Sequence, residues 1–221
     1  KIISARSEAK KYVSDSIYSD SSVGNSYIAQ KYIESPLLLQ KRKSEIRIYW
    51  LIACLEPLQV LMFYDGTVRL NSLPFKLADF DNQLVHITNV KQQHDHPDFD
   101  PNTVLKWSFA DLDSYVADTL KLTSSGFIES CLKPQLKQIL AFVVRAAQAD
   151  LVARPSNGLF FGLYGADIIL DDQLKPWLTE VQKSPGLSLD DPIKRRVISE
   201  VIEKTALLQV DLQARFRRHE P

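Results

Sequence analysis

Asp167–Gln182 reads DIILDDQLKPWLTEVQ, two apolar-rich runs joined by the polar turn DDQL. That pattern predicts a β-hairpin. With a two-residue loop at Gln173–Leu174, Asp167 lies directly opposite Glu180, and Gln182 follows two residues further along the same face. Cross-strand neighbours hold their Cβ atoms about 4.5–5.5 Å apart, and like charges at that spacing repel. A cation between them removes the repulsion, and an all-oxygen donor set with room for water suits Mg²⁺. The same residues also read as a solvated hairpin with scattered acids, whose register can slip by one position.

Working outward, Pro134–Val152 predicts a helix: Pro134 suits the first turn, and Leu136, Ile139, Leu140, Val143, Val144 and Ala147 recur at helical spacing. After the hairpin, whose arms are Phe160–Leu170 and Lys175–Lys183, Asp191 is placed to cap a last helix starting at Pro192. Upstream lie strand-like runs at Tyr27–Ile33, Glu45–Leu55, Leu58–Tyr64 and Thr67–Asn71, with Asp65-Gly66 reading as a hairpin turn between the last two. Residues 76–103 are loop-rich, and Phe109–Leu120 predicts a helix capped by Ser108. The first residues predict a strand tail at 1–4, a short helix at Ser7–Val13 and a loop or frayed end over Ser14–Ser26. Strands first, then a helix, a hairpin and a helix, give an α+β layout rather than alternating βα units.

Composition narrows the function classes. The chain has 221 residues, 45% hydrophobic and 24% charged, with a formal net charge of zero. No overall field favours nucleic acid or a membrane surface, so neither is expected as a partner. No apolar run approaches the ~18–20 residues of a membrane span. Cys54 and Cys131 both sit among apolar residues and are expected as buried thiols in a reducing compartment. The opening KIISARSEAKK has neither a signal-peptide apolar region nor an initiator Met, so the chain reads as part of something longer.

Four shorter stretches carry chemistry. QKYIESPLLL (Gln30–Leu39) is extended backbone running into a Pro turn, able to hydrogen-bond an adenine edge, or an ordinary strand end. KRKSEIR (Lys41–Arg47) puts Lys43, Glu45 and Arg47 on one face of a strand, where Arg and Lys bind phosphate oxygens. Its other reading is a solvated cluster guarding a sheet edge. Arg69 adds a cation to the same face. In VHITN (Val85–Asn89), Thr88 and Asn89 orient a substrate or cap a turn, and His86 reads as a structural histidine. His94 and His96, beside Asp95 and Asp98, resemble metal ligands but lie in the most loop-like segment, HDHPDFDPN. The terminal RFRRH (Arg215–His219) reads as a solvated helix end.

Taken in order, QKYIESPLLL, KSEIRIYWLI, FYDGTVRLNSLPF, VHITN, LYGADIILDD and LTEVQKSPGLSLDDPIKRRVI resemble the tubulin tyrosine ligase and tubulin tyrosine ligase-like family, which has an ATP-grasp fold. The last segment looks more like the polyglutamylase and glycylase members than the tyrosine ligase itself. The resemblance implies an α+β, ATP-grasp-like fold, a mostly antiparallel sheet with packed helices, of which residues 1–221 form the central and C-terminal part. Residues 1–75 would supply nucleotide-binding strands, 76–133 a loop-rich connection with a helix, and 134–221 a helix, the metal-binding hairpin and the last helix. The family's N-terminal domain and glycine-rich phosphate loop would precede Lys1.

The implied activity is an ATP-dependent carboxylate–amine ligase. It would add a free amino acid (glutamate, glycine or tyrosine) to an acidic protein tail, that of tubulin first, through an acylphosphate. ATP and Mg²⁺ are the implied cofactors, and the cytoplasm, its cytoskeleton or a cilium the implied location. Carried over by position, Gln30, Lys31 and Ile33 would meet the adenine, and Lys43 and Glu45 the ribose and phosphates. Arg47 and Arg69 would hold phosphate and the acyl intermediate, and Arg69, Thr88 and Asn89 the amino-acid substrate. Asp167, Glu180 and Gln182 would hold Mg²⁺. Glu45 and Gln182 stand where the family usually has Asp and Asn. Cations for the acidic tail are expected among Lys41–Lys43, Lys194–Arg196 and Arg215–Arg218. Two rival readings are a non-catalytic microtubule-binding module of the same fold, and an ATP-grasp ligase acting on a substrate other than tubulin.

Overall fold

The computed structural model describes residues 8, 10, 11, 28–124, 126–152 and 160–218. The expectations for residues 1–26 therefore lie, three residues apart, outside the described part. Six strands form the sheet: β1 (Leu38–Leu39), β2 (Arg42–Leu55), β3 (Leu58–Leu70), β4 (Lys106–Ser108), β5 (Gly162–Leu170) and β6 (Pro176–Gln182). Their order is β4-β3-β2-β5-β6, with β1 pairing the start of β2, and every pairing is antiparallel. Helices α1 (Gln83–His86), α2 (Val90–His94), α3 (Phe109–Ser114), α4 (Lys133–Val152) and α5 (Pro192–Arg218) accompany the sheet, with two π-helical segments, Tyr115–Thr119 and Ile128–Leu132. This is the α+β, mostly antiparallel architecture the sequence implies. Among the described residues, no helix is long and apolar enough to cross a membrane.

The centre of the sheet decides everything that follows. β2 is flanked by β3 and β5, so both of its edges are paired. Its even positions Ile46, Ile48, Trp50 and Ile52 enter the main core, where Leu136, Leu140 and Val144 of α4 pack. Of its odd positions, Tyr49 packs against Val197, Ile198 and Val201 of α5. Lys43, Glu45 and Arg47 share that second face, at its other end. The period-2 alternation of a strand thus splits one sequence run into a hydrophobic half and a charged half.

The helix ends follow their sequence signals. Ser108 and Asp111 form a capping box at α3, which continues into a π-helical stretch, Tyr115–Thr119. Asp191 accepts from the Lys194 backbone N–H at 2.9 Å to open α5. The loop-rich stretch holds the short α1 and α2, capped by Asn82 and Asn89.

Three local expectations are corrected. Asp65-Gly66 is not a turn: β3 runs unbroken through it, and the β2–β3 connection lies at Glu56–Pro57. The pairing steps from Ile48↔Gly66 to Trp50↔Met62, so β3 bulges over Phe63–Asp65. Glycine is required there because a Cβ on Gly66 would sit 2.5 Å from the Arg47 carbonyl oxygen and 2.7 Å from Phe109 Cζ. A glycine inside a strand marks such close approaches. Gly66→Ala is expected to destabilise by ~1–3 kcal/mol through overpacking, read as a lower denaturation midpoint at unchanged slope. Residues 28–33 form no strand; they lie alongside the sheet, with Gln30 Nε2 donating to the Thr179 carbonyl at 3.3 Å. Cys54 is buried but Cys131 is exposed, because the π-helical turn Ile128–Leu132 turns Ile128 and Leu132 inward and leaves Cys131 outside.

Candidate active site

The charged half of β2 faces a cavity of about 440 Å³ at the rim of the sheet. The backbone register builds its floor: Arg69 pairs with Glu45 across β3–β2, Arg47 with Asp167 across β2–β5, and Asp167 with Glu180 across β5–β6. Every nucleotide-, substrate- and metal-binding residue that the resemblance implies lines this cavity except Arg47. Residues far apart in the chain, from Gln30 to Gln182, meet there.

Arg47 lies beneath the floor. Its Nε and Nη2 both donate to the Asp167 carboxylate, Nη2 at 2.8 Å from Oδ2. Arg69 Nη2 is 2.8 Å from the same Oδ2 and 2.8 Å from Glu45 Oε2. The Asp167 and Arg47 side chains are only 4% and 9% exposed. Burial would raise the Asp167 pKa, but the hydrogen bonds from Arg47 and the charge of Arg69 outweigh it and hold the carboxyl below its usual value. Burial likewise works against the Arg47 cation, and Asp167 more than compensates. The repulsion between Asp167 and Glu180 is therefore relieved at Asp167 by two guanidinium groups.

Glu45 is held on three sides, by Arg69, by the Thr88 hydroxyl and by the Thr179 hydroxyl, the last at 2.9 Å from Oε1. Thr179 is the extra residue of a β-bulge: the pairing passes from Asp167↔Glu180 to Ile168↔Leu178. Bulges next to functional sites re-aim side chains. This one brings Thr179 Oγ1 within 3.0 Å of the Asp167 carbonyl and onto Glu45, a role its sequence context did not signal. Glu180 itself is exposed, and Gln182 Nε2 donates to its Oε2 at 3.2 Å.

Lys43 is buried, and burial lowers its pKa to about 8, with Glu45 opposing the shift. Asn89 caps α2 and Thr88 sits just before it, so both VHITN residues serve a turn and line the cavity together. The reading of KRKSEIR as a sheet-edge guard is overturned, because β2 is central. Of Lys41–Lys43, expected to meet an acidic partner, only Lys41 is exposed. Arg42 is buried and donates to the backbone carbonyls of Asn71 and Val104, and Lys43 points into the cavity. In the Lys194–Arg196 cluster, Lys194 pairs with Asp190 and Arg196 with Asp65.

A divalent cation fits the hairpin by donor chemistry. Asp167, Glu180 and Gln182 offer two carboxylates and an amide oxygen, hard donors that leave room for water or phosphate. A carboxylate has about four lone-pair sites, so arginine contacts do not exhaust Asp167. Among the described residues, no cluster of three or more His, Cys, Asp or Glu is placed to hold a metal. His94 packs edge-on to Phe99, and His96 lies beside Asp98 on the loop after α2. A larger cavity, about 730 Å³, lies between α3 and the start of α5. Its two cations, Arg196 and Lys133, are paired with Asp65 and Glu129, so it lacks the open cations of the smaller one.

The model of the tubulin-tyrosine ligase family matches residues 3–217. The chain is 32% identical over 194 residues to "Probable tubulin polyglutamylase TTLL9" of Bos taurus, covering 88% of this chain and 40% of that protein. It is 31% identical over 186 residues to "Probable tubulin polyglutamylase TTLL2" of Homo sapiens, covering 80% and 30%. Similarity at 29% over 191 residues extends to "Protein monoglycylase TTLL8" of Mus musculus, covering 85% and 22%. The chain thus spans about 40% of the length of the TTLL9 proteins it matches.

Proposed function

We propose, since this chain belongs to the tubulin-tyrosine ligase family, that it is part of an ATP-dependent ligase that joins an amino acid to a carboxylate on an acidic tail of tubulin. One observation carries this reading: the charges of Lys43, Arg47 and Asp167, all buried, and of Glu45 and Arg69, whose side chains are 12% and 14% exposed, gather on one face of the central strands. Buried charges are weak sources of stability, because desolvation offsets their attraction. Such a group of charges in and beneath the floor of a cavity suits the binding and transfer of a phosphoryl group, which is governed by positioning and charge.

In this reading Gln30, Lys31 and Ile33 border the adenine, and Lys43 and Glu45 lie toward the ribose and phosphates. An acceptor carboxylate oxygen attacks the terminal phosphorus and ADP leaves. The amine of the incoming amino acid then attacks the acylphosphate carbon, an amide forms, and inorganic phosphate and a proton depart. Arg69 spans Glu45 and Asp167 and faces the cavity, where it meets the charge on the moving phosphoryl group. Arg47 orients Asp167 from beneath. Thr88 and Asn89 border the amino-acid substrate. Mg²⁺ held by Asp167, Glu180 and Gln182 would supply neutralisation of phosphate oxygens.

Glutamate is the amino acid the polyglutamylase relatives favour, with glycine second from the monoglycylase. Titration of the intact protein with Mg·ATP, followed by ligation of labelled glutamate or glycine onto tubulin, tests the reading. Magnesium-dependent nucleotide binding with transfer of label is the expected result. A folded protein that binds tubulin but no nucleotide would instead be an interaction module.

A further inference from the structure

Among the described residues, the buried Lys43 ammonium forms no ion pair, and its two acceptors are neutral. Nζ donates to Tyr32 Oη and to the His86 carbonyl oxygen, each at 3.0 Å, and lies 4.6 Å from the centre of the Tyr32 ring. We infer that Tyr32 and His86 are a positioning pair that holds the Lys43 ammonium at the cavity wall, with its third N–H directed to an anionic, phosphate-bearing ligand. The ligand part of this inference rests on the reading given under Proposed function; the pair itself does not.

The proton order follows from the contacts. Because Tyr32 Oη accepts from Lys43, its own proton goes to His86 Nδ1, 2.8 Å away. His86 must then be the neutral tautomer protonated at Nε2. The opposite order, with Nδ1–H donating to Tyr32, leaves the phenol proton without an acceptor; the order adopted leaves the buried Nε2–H without a hydrogen bond, its nearest support the Asp79 backbone. Burial keeps His86 neutral, helped by the Lys43 charge and opposed by Asp79, and burial pushes the Tyr32 pKa up to about 12, so the phenol keeps its proton. Among the described residues, the charge acting on the ammonium is that of Glu45, two residues along the same strand face.

The imidazole is fixed in turn by aromatic contacts. It lies edge-on to Tyr32 and to Phe75, with ring centres 5.7 and 5.6 Å apart, and is stacked on Phe80 at 6.3 Å. Ring and carbonyl of one residue thus grip both ends of the arrangement: the ring orients Tyr32, and the carbonyl takes a second ammonium proton. A lysine carries three donors and a flexible four-carbon stem. Two fixed acceptors remove that flexibility and leave one donor aimed outward.

The test uses the intact protein labelled with ¹³C,¹⁵N-lysine and ¹⁵N-histidine, as the parent and as Tyr32→Phe, His86→Phe and His86→Asn, with the Lys43 signal assigned by Lys43→Met. The parent is expected to show neutral, Nε2-protonated His86 and a Lys43 midpoint near 8. In Tyr32→Phe and His86→Phe, which keep the rings but lose the acceptors, the midpoint should fall by about one unit, a tenfold change in the proton equilibrium. His86→Asn, whose amide oxygen replaces Nδ1, should restore it. Mg·ATP affinity at pH 8 should fall about fivefold in the two phenylalanine variants, as the charged fraction drops. An Nδ1-protonated His86, or an unmoved Lys43 midpoint in Tyr32→Phe, overturns the pair whatever the nucleotide does. The expected lysine shift in a parent that binds no nucleotide upholds the pair and overturns its ligand.

Discussion

Asp167→Asn is expected to lower the stability of the apo protein by about 3–5 kcal/mol, the usual cost of breaking a buried ion pair from one side. The mechanism is specific. Arg47 and Arg69 both place N–H groups on this carboxylate, and Arg47 is 9% exposed, so it cannot turn to water. An asparagine keeps the shape but supplies no charge, and its amide nitrogen faces a guanidinium. For a chain of this size the melting temperature should drop by roughly 6–20 °C. The same carboxylate gives a pH signature. Its folded pKa lies below its ordinary value of 3.8, so its contribution is complete above that value and is lost as pH falls through the folded pKa. Acid denaturation of the variant should therefore start from a lower plateau and lack that part of the descent. A variant that melts with the parent would mean that the two arginines do not depend on Asp167.

Glu180→Gln should do the reverse: leave the fold alone and stop the chemistry. Glu180 is exposed and its partner is the Gln182 amide, which a glutamine side chain can also engage. Exposed substitutions of this kind usually stay within about 0.5 kcal/mol. Turnover should nevertheless fall by about 10²–10³-fold, the scale on which a preorganised electrostatic contact acts. Thermal melting with and without Mg·ATP separates the possibilities. The parent should gain stability from Mg·ATP, and Glu180→Gln should start at the same apo temperature and gain little. If Glu180→Gln melts several degrees lower in the apo form and is protected as well as the parent, Glu180 is a structural acid and the metal assignment fails.

The route from sequence to the Asp167–Glu180 pair shows why register is hard to read. The two-residue loop at Gln173–Leu174 is in fact a three-residue loop closed by Asp171 N–H to the Lys175 carbonyl at 3.0 Å, with Leu174 left-handed at φ 64°. That shifts the pairing by one residue from Leu170↔Pro176 through Ile168↔Leu178. The bulge at Thr179 shifts it back, so Asp167 still faces Glu180. Two local irregularities cancel, and neither has a signal in DIILDDQLKPWLTEVQ. Asp65-Gly66 failed for a related reason. Its residue types suit a tight turn, but they also suit a bulge where a backbone carbonyl and an aromatic ring come close, and only the arrival of Phe109 from α3 distinguishes the two.

The sequence by itself determined the elements and the alternation along them. Periodicity of 3.6 and of 2, capping by Ser108 and Asp191, and the shared face of Lys43, Glu45 and Arg47 are properties of a few adjacent residues, so local chemistry suffices to read them. Tertiary structure decided which faces are covered and which charges meet. Nothing in KRKSEIR distinguishes an exposed edge from a central strand; that depends on β3 and β5 pairing on either side, the latter more than a hundred residues away. The same pairing turns Arg47 from a cavity residue into the support beneath Asp167, while the packing of residues 28–33 and of α1 against β2 brings Tyr32 and His86 onto Lys43. Hydrogen bonds and ion pairs act over about 3 Å, and chain distance carries no information about which groups the fold will bring that close.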